Sequence, residues 1–91
     1  MGRMAKVFFT SHLRHVAPAG AVESAGQSVR AVLQDVFARY PAARGYVLDD
    51  QGRVRLHIAI FVDGVQVRKN VLDYPLKADS ELYIMQALSG G

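Results

Sequence analysis

The chain has no cysteine. Disulfides, thiolate metal sites and a cysteine nucleophile are therefore excluded. It also has no tryptophan and only three prolines. No apolar run approaches the roughly 20 residues of a membrane span. The opening Met1-Gly2-Arg3-Met4-Ala5-Lys6 lacks a signal peptide's long apolar core and small-residue cleavage site. Lys6 stands where a myristoylation motif wants Ser or Thr. These absences lead to the expectation of a cytoplasmic protein, with either Met1 or Met4 as the native start.

What remains is an ordinary globular composition. Of 91 residues, 51% are hydrophobic and 21% charged, which argues against disorder. The length suits one compact domain spanning residues 1–91 and is too short for two. The net charge is +3. Arg14, Arg30, Arg39, Arg44, Arg53, Arg55 and Arg68 are scattered rather than clustered in one run. Such a charge fits an acidic partner surface; without an RNA-binding aromatic signature, a nucleic-acid partner is not expected.

Apolar periodicity orders the elements. Ala5–Leu13 reads as a first strand, with Val7 and Phe9 on one face and Lys6, Phe8 and His12 on the other. Ala17-Pro18-Ala19-Gly20 reads as a turn, and Ala21–Ser24 as a short strand returning along the first. Residues 28–40 form the clearest element. Ser28 is placed to cap a helix, and Val29, Val32, Leu33, Val36, Phe37 and Tyr40 recur along one helical face. Pro41 stops it. Tyr46–Leu48 and Arg53–Val54 are expected as strands around the Asp49–Gly52 turn. The alternation of Val54, Leu56, Ile58, Ile60 and Val62 with Arg55, His57, Ala59 and Phe61 extends the second of these into a long half-buried strand. Asp63-Gly64 signals a tight hairpin into Val65–Val67. Val71–Pro75 is irregular, Leu82–Ala87 is the last strand, and residues 88–91 form a flexible tail.

Two strands, one main helix and further strands predict an α+β fold. A mixed sheet of four to five strands would have the first and last strands parallel and the helix packed across it. That arrangement is a β-grasp. Its open face would carry Phe8, Phe61, Tyr83 and Met85, with Leu56 pointing inward. Large apolar side chains grouped on an open sheet are candidates for partner docking.

The element order, the segment Phe61-Val62-Asp63-Gly64, the helix start Ser28-Val29-Arg30 with Val32-Leu33, and the ending Leu82-Tyr83-Ile84-Met85-Gln86-Ala87-Leu88-Ser89-Gly90-Gly91 resemble the MoaD/ThiS family of ubiquitin-like sulfur carriers. The likeness covers nearly the whole chain, and the terminal Gly-Gly is its most specific part. Asp63 stands where the family often has Asn. The resemblance implies that a partner enzyme adenylates the Gly91 carboxylate with ATP and Mg2+, and that a sulfur donor converts the adenylate to a thiocarboxylate. A downstream enzyme would then accept the sulfur. The carrier itself would be no enzyme and would bind no cofactor. Ser89, Gly90 and Gly91 would thread the partner's channel, and Leu88 would join the docking face. Glycine suits such a tail because it has no side chain and adopts backbone angles other residues avoid.

Molybdopterin, thiamine, cysteine and thiolated-nucleotide pathways all remain open. So do two other classes of function: a protein modifier joined to lysines through Gly91, and a β-grasp interaction module. The histidines point to no metal, since zinc needs three or four ligands and His12 and His15 have no third nearby. Asp49-Asp50 reads as a turn pair rather than a catalytic pair.

Overall fold

The computed structural model describes residues 4–10, 13, 15–18 and 20–86. Strands β1 (Ala5–Phe9) and β2 (Val22–Ser24) are followed by helices α1 (Val29–Arg39) and α2 (Pro41–Val47). Then come β3 (Ile58–Val62), β4 (Val65–Val67), a 3-10 turn at Val71–Asp73, and β5 (Glu81–Gln86). The sheet order is β2-β1-β5-β3-β4. β1 and β5 run parallel at its centre, and the remaining pairs are antiparallel. This is the expected mixed sheet, with five strands and a second helix beside the main one.

α1 forms where its local signals place it. Ser28 is extended (φ −145°, ψ 162°), and its hydroxyl accepts the Ala31 N–H at 3.2 Å, satisfying one of the first turn's orphan donors. Val29, Val32, Leu33, Val36 and Phe37 are buried against the sheet. They meet Ala5, Val7, Ile58, Ile60, Leu82 and Ile84 in one apolar core. Phe9 packs against that core from a half-buried position. At the far end Arg39 donates to the Glu23 carbonyl at 2.6 Å and to Asp35 at 3.1 Å. The helix end is thereby tied to β2.

Three sequence expectations need correction. First, Pro41 ends α1 and also begins α2 at its first position. There its fixed φ suits a helix, and its missing N–H would have had no partner. Tyr46 and Val47 are therefore helical rather than extended, because Ala43 and Val47, one turn apart, bury the inner face of α2.

Second, the strand expected from Val54 onward starts only at Ile58. The Arg55 N–H bonds to the Val47 carbonyl and its Nε to the Gly45 carbonyl, which holds the chain against α2. The Ile58 N–H then closes a turn on the Arg55 carbonyl. Leu56 lies in that turn and is 103% exposed, not inward-facing. His57 shares the turn and does not sit on the sheet face.

Third, β1 stops at Phe9. Its last link to β5 is Thr10 N–H to the Ile84 carbonyl, after which Leu13 N–H bonds back to Thr10 and the chain turns. Leu13 and Ala17 close that end of the core. The last strand comprises Glu81–Gln86; Ala87, like the tail at 88–91, lies outside the described residues.

Candidate functional site

The open sheet face is assembled by register. Phe8 of β1 and Phe61 of β3 both lie opposite Tyr83 of β5. In β4, Gln66 lies opposite Phe61. One row of side chains, Phe8-Tyr83-Phe61-Gln66, therefore crosses four strands on the side away from α1. The Phe8 and Tyr83 rings are stacked, with centroids 4.6 Å apart and an interplanar angle of 12°. Phe8 and Phe61 are half-buried, whereas Tyr83 is 38% and Met85 44% exposed. The alternation of β5 explains the split: Leu82 and Ile84 are fully buried, while Glu81, Tyr83 and Met85 face out.

The face is graded along β5. At its start, Glu23, Lys6 and Glu81 lie opposite one another in adjacent strands and give a polar border. Toward its end, Met85 lies opposite the buried Ala59. Met85 thus carries the apolar face to within one residue of Gln86, the last described residue of β5. All four outward residues expected from the sequence, Phe8, Phe61, Tyr83 and Met85, are brought together here. Leu88, Ser89, Gly90 and Gly91 lie outside the described residues.

Sequence reasoning missed how β5 is held. Asp63 (φ 51°) and Gly64 (φ 87°) form the two-residue turn between β3 and β4, a conformation that favours Asp-Gly. Asp63 is also a clasp. Its Oδ1 accepts the Glu81 N–H at 2.9 Å, its Oδ2 accepts the Ser80 hydroxyl at 3.1 Å, and its own N–H bonds to the Glu81 carbonyl at 2.9 Å. The buried Ser80 hydroxyl in turn accepts the Lys77 N–H at 2.9 Å. The turn is legible in the Asp-Gly dipeptide. The clasp is not, because its partners lie 17 and 18 residues away.

Asp49 accepts the Gln51 and Arg53 N–H groups, each at 2.9 Å, within its turn. The backbone bond from Arg53 is the main cause that holds the Asp49 carboxyl below its usual range, with the Gln51 N–H and the Arg53 charge adding to it. The His15 ring meets Tyr46 edge-on at 5.1 Å, and His12 lies outside the described residues. Among the described residues, no group of three His, Cys, Asp or Glu side chains is arranged to hold a metal. No helix among them is long and apolar enough to cross a membrane.

A five-stranded mixed sheet, parallel at its centre and crossed by a capped helix, defines the ubiquitin-like β-grasp class. The particular assignment follows from comparison: the ThiS family model matches residues 7–91, and the chain belongs to the ThiS family. No curated protein matches it in sequence. Among solved structures it is similar to small archaeal modifier protein 1 from Methanosarcina acetivorans, at 27% identity and TM-score 0.81, covering 99% of this chain and 100% of that one. A chain of the Amycolatopsis orientalis BexX/CysO complex matches at 24% identity and TM-score 0.83, covering 96% and 99%. CysO from Mycobacterium tuberculosis matches at 23% and TM-score 0.82, covering 92% and 99%. The last two likenesses are ones of fold.

Proposed function

We propose that the chain is a sulfur carrier whose working atom is the Gly91 carboxylate. The observation that carries this reading is the ThiS family match, which runs to Gly91 itself. A carboxylate is a poor electrophile, so it must first be activated. One carboxylate oxygen attacks the α-phosphorus of ATP on a partner enzyme, pyrophosphate leaves, and an acyl adenylate forms. Hydrosulfide adds to the acyl carbon and expels AMP, its proton passing to solvent. The product is a terminal thiocarboxylate, which passes its sulfur to a downstream acceptor. ATP and Mg2+ belong to the partner; this chain contributes the tail and the surface that brings the tail to the reaction.

That surface is the Phe8-Tyr83-Phe61 row with Met85. Residues 87–91 span at most roughly 17 Å when extended, so an enzyme acting on Gly91 must seat close to the end of β5. The exposed aromatic and methionine side chains there are the residue types that anchor interfaces. Met85, two residues beyond Tyr83 on the side away from the Glu23-Lys6-Glu81 border, carries this face to the end of β5.

A second reading, conjugation of Gly91 to lysines of other proteins, is favoured by the 27% identity to small archaeal modifier protein 1. Both readings pass through the same adenylate. Intact mass spectrometry of the protein from its native host separates them. The carrier reading expects a species heavier by the difference between sulfur and oxygen, mapped to Gly91. Lysine-linked adducts without that species would favour the modifier. A terminus left bare after supplying ATP, the activating enzyme and a sulfide source would reject the carrier reading. Deleting Gly91 is expected to abolish loading while the domain stays folded.

A further inference from the structure

A second surface lies at the corner where the outer strand of the sheet ends. β4 is the terminal strand and stops opposite Ile60, while β3 continues back to Ile58 against β5. The space left is a groove of about 670 Å3. Its apolar lining includes the core side chains of Ile58, Ile60 and Val67, and its rim carries Arg30, Arg53, Arg55 and Arg68.

All four guanidinium groups are held in place, Arg30 and Arg53 by ion pairs and Arg55 and Arg68 by neutral oxygens. Arg30 reaches Asp73 at 3.0 Å, Arg53 reaches Asp49 at 3.3 Å, Arg55 bonds to the Gly45 carbonyl at 2.8 Å, and Arg68 bonds to the Gln66 amide oxygen at 3.0 Å. Each of these contacts engages one nitrogen of a group that carries five N–H donors. The groove carries four arginines against two acids, Asp73 in its lining and Asp49 paired with Arg53. The local excess is two positive charges (4 − 2), so the groove favours an anionic ligand.

The rest of the lining narrows the ligand class. No aromatic side chain borders the groove among the described residues, whereas single-stranded nucleic acids are held by stacking platforms. Beside it runs the outer edge of β4, the kind of edge that pairs with an extended chain. Leu56 projects fully into solvent from the same rim, where it would close over an aliphatic side chain. We infer that this groove docks an extended acidic segment of a partner protein, its carboxylates on the four arginines and an aliphatic side chain beside Leu56. The inference is independent of the chemistry at Gly91.

The test uses the full isotope-labelled chain and a short fluorescent peptide of alternating Glu and Val. A Lys-Val peptide and oligouridine RNA serve as comparisons. The expected result is saturable binding of the Glu-Val peptide alone, with amide shifts confined to Arg30 and its neighbours on α1, and to residues 53–60 and 65–73. Affinity should fall about tenfold or more in Arg53→Glu/Arg68→Glu, and also near 1 M salt, where the Debye length is about 3 Å. Leu56→Ala, at a fully exposed position, should weaken binding without changing the fold, and Arg68→Ala decides the charge question should the double variant unfold. Absence of binding, shifts centred on Tyr83 and Met85, or undiminished affinity in these variants would overturn the inference. Oligouridine binding in the groove in place of the peptide would replace it with a nucleic-acid site.

Discussion

Gly26→Ala and Gly45→Ala add the same methyl group and should move stability in opposite directions. A Cβ on Gly26 would stand 2.6 Å from the Val32 backbone nitrogen, 2.8 Å from its Cγ2 and 2.9 Å from the Ala31 carbonyl carbon. Ordinary contact begins at 3.4 Å, so about 0.8 Å (3.4 − 2.6) must be found. The segment has little freedom to supply it. Gly26 N–H bonds to the Ser24 hydroxyl, Leu76 N–H to the Gln27 carbonyl, and Val29 N–H to the Tyr74 carbonyl. Overpacking against such a framework costs about 1–3 kcal/mol. Gly45 lies exposed within α2, with nothing within 4 Å of its added Cβ. Removing its backbone freedom should stabilise the helix by about 0.5–1 kcal/mol. Urea unfolding followed by far-ultraviolet circular dichroism reads both. With a slope near 1 kcal/mol per M, the Gly26→Ala midpoint should fall by about 1–3 M and the Gly45→Ala midpoint rise by about 0.5–1 M. An unchanged midpoint for Gly26→Ala, with a native spectrum, would refute the argument that the loop before α1 is pinned.

Leu33, 1% exposed in the core, should cost about 2–5 kcal/mol when replaced by alanine; a near-neutral result in the same titration would contradict the packing of α1 on the sheet. Tyr83→Ala should weaken binding of the proposed activating enzyme about tenfold or more by calorimetry, while the free domain loses only the Phe8 stack, about 0.5–1.5 kcal/mol; unchanged affinity would remove Tyr83 from the proposed docking face. The Asp49 carboxyl, held low by the Arg53 and Gln51 N–H groups, should titrate below the ordinary value of about 3.9 when followed by NMR. Its contribution to stability is present above that unfolded-state value and is lost as pH falls through the lower folded-state one. Asp49→Asn should flatten that acid limb, and a persistent limb would assign it to other carboxyls.

Some residues announced their places because the forces on them are local. Ser28 caps α1 whatever lies elsewhere, since its hydroxyl needs only an N–H three residues on. Asp63-Gly64 makes its turn because both residues accept positive φ. The two-residue alternation of β5 predicts which side chains face out before any neighbour is known. Where local signals were equally good for two outcomes, distant contacts decided. Val54–Leu56 alternates like a strand, yet the Arg55 bonds to α2 pull it out of the sheet. Pro41 can end one helix or begin another, and seven residues are too few for a helix to persist alone. Burial of Ala43 and Val47 selects the second helix.

The sequence by itself determined the β-grasp order, the capped helix, the hairpin and the absence of cysteine. Each follows from neighbours along the chain, from periodicity or from composition. Only the tertiary structure decided that Phe8, Tyr83 and Phe61 form one row, that Asp63 clasps the start of β5, and that four separated arginines rim one groove. These depend on strand order and register, which bring together residues tens of positions apart through core burial that no local pattern encodes.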